Sequence, residues 1–205
     1  MSDFPDLWAI EHDCFAAGCQ LVCGVDEAGR GPLAGPVCAA SVILPPDLVI
    51  PGLNDSKKLT DKKRRELFEI ITSEAVSYGI ALVDEKQIDE MNILQATFRA
   101  MEQAVARMDV TPDLVLVDGN REPRLGLTVR TVVKGDSLSA NIAAASILAK
   151  VTRDRLMEQL DETYPQYGFA VHKGYGTKRH YEALREYGPC PIHRRSFLKK
   201  FYGEA

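Results

Sequence analysis

Between Met1 and Gly18 the chain has no lysine or arginine, so this acidic stretch reads as neither a secretory nor a mitochondrial presequence. Long apolar runs are also missing. The longest helix-like one, Ala140 to Ala149, is interrupted by Asn141 and Ser146 and has about half of the ~20 residues a membrane span requires. The chain is therefore expected to be soluble and cytoplasmic, with no membrane partner. Zinc spacing is absent as well, because Cys14, Cys19 and Cys23 follow C-x4-C-x3-C, which fits no tetrahedral site pattern. Five cysteines without a leader point to reduced thiols, with Cys23 and Cys38 expected as small buried hydrophobes. No D-x-D-x-D-G loop suggests a calcium module, and no repeat, low-complexity tract or linker divides the chain. Residues 1–205 are expected to form one domain that acts as a monomer.

What is present is an ordinary globular composition, 45% hydrophobic and 26% charged over 205 residues, enough for a full core. The net charge of −4 argues weakly against a polyanionic partner, but the charge is unevenly placed. From His172 to Lys200 there are eight Lys/Arg against two acids, Glu182 and Glu186. Such a patch can bind nucleic acid in an acidic chain, or it can be a solvated amphipathic helix; charge alone does not choose.

Apolar patterning predicts a helix over 5–17 and buried strands over 21–26 and 37–44. Thr60 is expected to cap a helix over 61–75, and a third strand follows over 76–83. The spacing of Ile93, Ala96, Ala100 and Ala104 predicts a helix over 92–108. Short strands over 113–117 and 128–133 precede a long helix over 139–163, ended by Tyr164-Pro165. A last helix is read over 177–187. This order describes a mixed α/β sheet with helices packed on it.

The segment carrying most chemistry is Gly24-Val25-Asp26-Glu27-Ala28-Gly29-Arg30-Gly31-Pro32-Leu33-Ala34-Gly35-Pro36. Two carboxylates close an apolar strand, and oxygen ligands suit Mg²⁺ or Mn²⁺. The glycines allow close approach of backbone N–H groups and one arginine fork to a phosphate. Asp118 and Asp136 stand in similar contexts, where a strand ends or the next helix begins, and ligands gather beyond the carboxyl ends of strands in open α/β sheets. Each acid also has a plainer reading. Asp118-Gly119-Asn120 is a turn signal, and Asp136 can cap the helix that follows. Glu27 joins Asp26 at one metal only if the strand kinks, since successive side chains point to opposite faces.

The Gly24 to Pro36 segment resembles the signature of bacterial ribonuclease HII, the type 2 ribonuclease H. The resemblance extends through Asn54-Asp55-Ser56-Lys57-Lys58-Leu59, Val115-Leu116-Val117-Asp118-Gly119, and Lys134-Gly135-Asp136 leading into Ile142 to Asp154. It continues in Tyr164-Pro165, His172-Lys173-Gly174-Tyr175-Gly176-Thr177 and His193-Arg194-Arg195-Ser196-Phe197. The tail departs from the family pattern, which more often has a proline after Phe-x where this chain reads Phe197-Leu198-Lys199.

The resemblance implies a ribonuclease H-like mixed sheet flanked by helices, with a small helical C-terminal segment, about 164–205, completing the substrate groove. It implies a four-carboxylate catalytic and metal site at Asp26, Glu27, Asp118 and Asp136. Asp26 and Asp118 would lie nearest two divalent ions, Mn or Mg. The implied substrates are RNA–DNA hybrids and duplex DNA containing a single ribonucleotide, cut on its 5′ side to leave 3′-hydroxyl and 5′-phosphate ends, as in removal of misincorporated ribonucleotides. Gly29, Arg30, Gly31 and Tyr175 are implied to recognise the 2′-hydroxyl at the junction. Lys57, Lys58, Lys173, Lys178, Arg194 and Arg195 are candidates for positioning phosphates, or are surface charge. His172 and His193 either contact phosphate or satisfy core hydrogen bonds. Rival readings are a non-catalytic nucleic-acid binder and a DNA recombinase or resolvase of the same fold.

Overall fold

The computed structural model describes residues 6–203, excluding the side chains of Lys58 and Lys200. Five strands form one sheet: β1 (Val22–Ala28), β2 (Val37–Ile43), β3 (Ser77–Val83), β4 (Leu114–Asp118) and β5 (Val129–Val132), in the order β3-β2-β1-β4-β5. The first three strands pair antiparallel, while β4 runs parallel to both β1 and β5. Every residue of β2 is buried, as its run of Val, Cys, Ala and Ile requires of a strand covered on both faces. The edge strand β3 alternates instead, with Tyr78 and Leu82 outward.

The helices are α1 (Ala9–Ala16), α2 (Asp61–Glu74), α3 (Glu85–Met91), α4 (Ile93–Ala106), α5 (Ala140–Thr163), α6 (Phe169–His172), α7 (Lys178–Tyr187) and α8 (Arg195–Tyr202). Helix α5 lies on one face of the sheet, where Ala143, Ala144, Ala145 and Leu148 pack on Ala40 and Val42. Its contact with β1 is close because Gly24 has no side chain: a Cβ there would sit 2.1 Å from the Asn141 carbonyl carbon. Helix α4 covers the other face with Ala96, Ala100 and Ala104, the spacing read from sequence. A third cluster, including Leu33, Met157, Phe169, Leu184 and Leu198, gives the C-terminal helices a small core of their own against α5.

The predicted elements correspond to observed ones within a few residues, apart from the start of the first helix. Its first residue, Pro5, lies outside the described residues, and α1 begins at Ala9. Among the described residues three helices have no counterpart in the sequence reading, α3, α6 and α8. Only Ile88 of α3 is buried, so there is no apolar stripe to read. All cysteines are free, and Cys23 and Cys38 are fully buried, which pushes each thiol up to about 12.

The start of α5 corrects one expectation. Ser139, not Asp136, caps the helix by accepting from the Ile142 N–H at 3.1 Å. Fully buried Glu11 of α1 then accepts from the Ser139 hydroxyl at 2.6 Å and the Asn141 N–H at 3.1 Å. Asn141 itself ties α5 to the sheet, accepting from Leu44 N–H at 2.7 Å and donating to Val22 carbonyl at 3.1 Å. Asp136 is thereby free for another role.

Candidate active site

The parallel register of β1 and β4 ends at the pair Val25–Val117, so Asp26 and Asp118 are the next residues on neighbouring strands. Asp136 reaches them from a 3-10 turn, Gly135–Ser137, that follows β5. The turn is drawn inward by the Gly135 N–H, which donates to Asp118 Oδ1 at 2.7 Å. Gly135 lets the turn pack closely, since a Cβ there would lie 2.5 Å from Ile142 Cδ1 and displace that side chain. The result is one carboxylate oxygen from each of Asp26, Asp118 and Asp136, all within 4.8 Å of one another.

Glu27 arrives differently from the expectation. Strand β1 does not kink: it stays in register with β2 through Asp26–Ala40, Glu27–Ala39 and Ala28–Cys38. The pleat sends Glu27 toward the opposite face from Asp26, outside the three-acid cluster. Its longer side chain nevertheless lines the same cavity, of about 220 Å³, and lies 3.3 Å from Arg30.

Three of these acids, Asp26, Glu27 and Asp118, are held above the ordinary carboxylate range, burial being the first cause in each. Burial, then the charges of Glu27 and Asp118, holds Asp26 well above the usual carboxylate range. Burial and then Asp136 raise Asp118, and burial raises Glu27 despite the opposing Arg30. A cation among them would favour the charged forms and so oppose these shifts, and an all-carboxylate donor set suits a hard divalent ion. Lys57 Nζ lies 3.2 Å from Asp136 Oδ2 and so places a positive charge beside that acid.

The cavity continues along the loop Gly29–Gly31 to Tyr175, which is 45% exposed, and a Cβ built on Gly31 would sit 3.5 Å from its ring. The two loops are joined by Leu33 N–H donating to Gly174 carbonyl at 2.8 Å.

A family model described as Ribonuclease HII matches residues 23–200. A ribonuclease HII of Acetivibrio thermocellus is 52% identical over 201 residues, 98% of this chain and 78% of that protein. The chain belongs to the ribonuclease HII family. The crystal structure of ribonuclease H2 from Pyrococcus horikoshii superposes with a TM-score of 0.75 at 32% identity, covering 90% of this chain and 98% of that one. A Bst ribonuclease HIII crystallised with Mn²⁺ shares the fold, with a TM-score of 0.62 at 21% identity over 82% of this chain and 63% of that one. The protein is thus a ribonuclease H, an endonuclease of RNA–DNA hybrids, and the non-catalytic and recombinase readings fall away. No helix among the described residues is long and apolar enough to cross a membrane.

The predicted phosphate contacts divide. Lys57 lines the cavity, whereas the Lys58 side chain lies outside the described residues. Lys178 is exposed on α7, 3.9 Å from Glu182. Arg195 opens α8 and lines a separate depression with Glu85 and Asp89. Two expectations are corrected. Lys173 is turned onto Glu158 at 2.9 Å, and Arg194 is fully buried with its guanidinium committed to backbone carbonyls. Sequence reasoning also missed Ser56, Ser146, Lys150 and Arg153 in the cavity wall. Ser146 hydrogen-bonds Asp26 and meets Ser56 hydroxyl to hydroxyl at 2.7 Å. The available signal was Ser146, Lys150 and Arg153, a polar line at helical spacing on an otherwise apolar α5.

His172, His180 and His193 belong to the core. His180 Nε2 lies 3.0 Å from His193 Nε2, so one proton bridges them, and His193 Nδ1 faces the Cys190 sulfur at 3.1 Å. His172 stacks on His180 with ring centroids 4.5 Å apart and its Nε2 lies 2.8 Å from Tyr167 carbonyl. Burial first, then neighbouring histidines, depresses both His180 and His193 to about 4. The unfolded chain therefore binds more protons than the folded one between about pH 6.5 and 4. Stability from this pair is complete above about pH 6.5 and is lost on acidification toward 4, at up to about 1.4 kcal/mol per pH unit for each group. Thermal melts from pH 7.5 to 4.5 should show that fall, and His180→Gln should flatten it; an unchanged slope would exclude the pair as its source.

Proposed function

We propose that this ribonuclease H cleaves on the 5′ side of a ribonucleotide, including one embedded in duplex DNA, leaving 3′-hydroxyl and 5′-phosphate ends. The observation that carries the reading is the convergence of Asp26, Asp118 and Asp136 within 4.8 Å, the first two in the wall of a cavity also lined by Gly29–Gly31 and Tyr175. Asp26, Asp118 and Asp136 would hold divalent ions, Mg²⁺ or Mn²⁺, with Glu27 completing the coordination from the adjoining wall. When bound, such ions lower the pKa of an attacking water and stabilise the charge on the leaving oxygen.

The chain's own groups do the orienting. Ser146 hydrogen-bonds Asp26 and the Gly135 N–H holds Asp118, so neither carboxylate has to be ordered on binding. Lys57 and Arg30 place positive charge beside Asp136 and Glu27, within reach of a phosphate. Backbone groups of Gly29 and Gly31 and the Tyr175 hydroxyl are suited to a 2′-hydroxyl, which both donates and accepts. The C-terminal helical layer carries Tyr175 and so completes the groove. Such an enzyme would serve removal of misincorporated ribonucleotides.

A nicking assay tests this on three substrates, a duplex with one ribonucleotide, a long hybrid and all-DNA, with and without Mg²⁺ or Mn²⁺. Metal-dependent cutting of the first two alone is expected; cutting of DNA, or activity in chelator, would refute the reading. Tyr175→Ala should reduce kcat/KM at the lone ribonucleotide by about 10–100-fold, the worth of one or two lost hydrogen bonds. An equal loss on the long hybrid would argue against junction sensing by this residue.

A further inference from the structure

Two arginines beneath the Gly29–Pro36 loop have no carboxylate within ion-pairing distance among the described residues, although Arg153 is 1% and Arg194 0% exposed. Their donors go to backbone carbonyls. Arg194 bonds Gly29 at 2.7 Å, Arg30 at 3.0 Å and Gly35 at 2.9 Å. Arg153 bonds Ala34 at 3.1 Å, Pro36 at 2.9 Å and, from the Tyr175 loop, Lys173 at 3.0 Å. We propose that Arg153 and Arg194 are positioning residues, a paired guanidinium clamp that presets the Gly29–Gly31 backbone for reading the ribose. The inference rests on the proposed role of that segment in recognition.

A trans peptide is planar, with its N–H opposite its carbonyl. Fixing the Gly29 and Arg30 carbonyls therefore fixes the direction of the Arg30 and Gly31 N–H groups on the other side of the same planes. Neither N–H donates to another backbone group among the described residues, which leaves both for a ligand. The Lys173 bond holds the second recognition loop to the same body. Burying two guanidiniums without an ion-paired carboxylate is costly, and what offsets the cost is the set of backbone carbonyls they hold in place. The arrangement also accounts for Gly29, where a Cβ would fall 2.0 Å from Arg153 Nε.

Arg194→Lys keeps the charge but not the fork, and one ammonium cannot span three carbonyls. Its kcat on the single-ribonucleotide duplex should fall at least about tenfold, as small misplacements do, with KM within about twofold. Mn²⁺ binding by calorimetry should be unchanged. A kcat per folded molecule equal to the parent's would overturn the clamp. Should the variant fail to fold, amide order parameters of the unsubstituted protein decide. Values near ~0.85 at Arg30 and Gly31 support a preset loop, and values below ~0.6 refute it. The parent is assayed alongside: failure to distinguish one ribonucleotide from DNA would refute the recognition reading, whereas a discriminating parent with a fully active variant would refute only the clamp.

Discussion

Replacing Asp118 by asparagine is expected to lower cleavage by about a thousandfold or more while leaving the fold intact. Asp118 neighbours Asp26 across the parallel register and Asp136 through the turn, so it is the acid common to both halves of the cluster. Asparagine keeps an acceptor oxygen for the Gly135 N–H, and the turn that carries Asp136 should stay in place. The charge that would bind the ions is lost. The stability effect has the opposite sign to the activity effect. Burial and Asp136 hold the folded pKa of Asp118 above its unfolded value, so in metal-free protein its ionisation opposes folding as pH rises above ~4. At neutral pH the variant should therefore melt no lower than the parent. Retained cleavage would remove Asp118 from the site; an inactive variant with a lower melting temperature would show that it is mainly structural.

Gly24→Ala should have the largest effect on stability, on the order of 3–5 kcal/mol, read from urea denaturation. The added carbon would lie 2.1 Å from the Asn141 carbonyl carbon, 2.2 Å from the Ile142 nitrogen and 2.6 Å from the Asn141 oxygen. All three are backbone atoms of α5. Helix and strand are both fixed, the helix by Glu11 and Asn141 and the strand between β2 and β4. Gly31→Ala is the control, because its Cβ would meet only the Tyr175 ring at 3.5 Å, an ordinary contact. Equal destabilisation by the two substitutions would contradict this packing.

Much of this organisation is legible in the chain. The central strands are continuous apolar runs, so their existence is plain and their ends shift by only a residue or two. Asp118 and Asp136 are visible as acids at or just after the ends of apolar strands, although a turn and a helix cap explain them as well until the wider motif is read. Glu27 was harder: the alternation of a strand predicts where its Cβ points, but the length of its side chain returns the carboxylate to the cavity. Arg194 was misjudged because a basic residue in a basic segment looks like a polyanion contact. Its real partners, Gly29, Arg30 and Gly35, are about 160 residues away, and a backbone carbonyl has no residue type to signal it. Ser139 and Asn141, assigned no role from sequence, proved to seat α5 on the sheet. Polar residues in a small-residue stretch carry no periodicity to expose them.

The strand order bears on how a ribosome delivers this protein. Strands β1, β2 and β3 pair antiparallel from residues 22–83 and can form a meander as soon as they emerge. The other edge of β1 then stays open until β4 is synthesised, and the face destined for α5 stays bare longer still. An apolar edge left unpaired is a place for nascent chains to misassemble. Asp136 follows both strands in the chain, so the carboxylate cluster cannot form until that residue has emerged. A cation held there would report that the sheet has closed around β1.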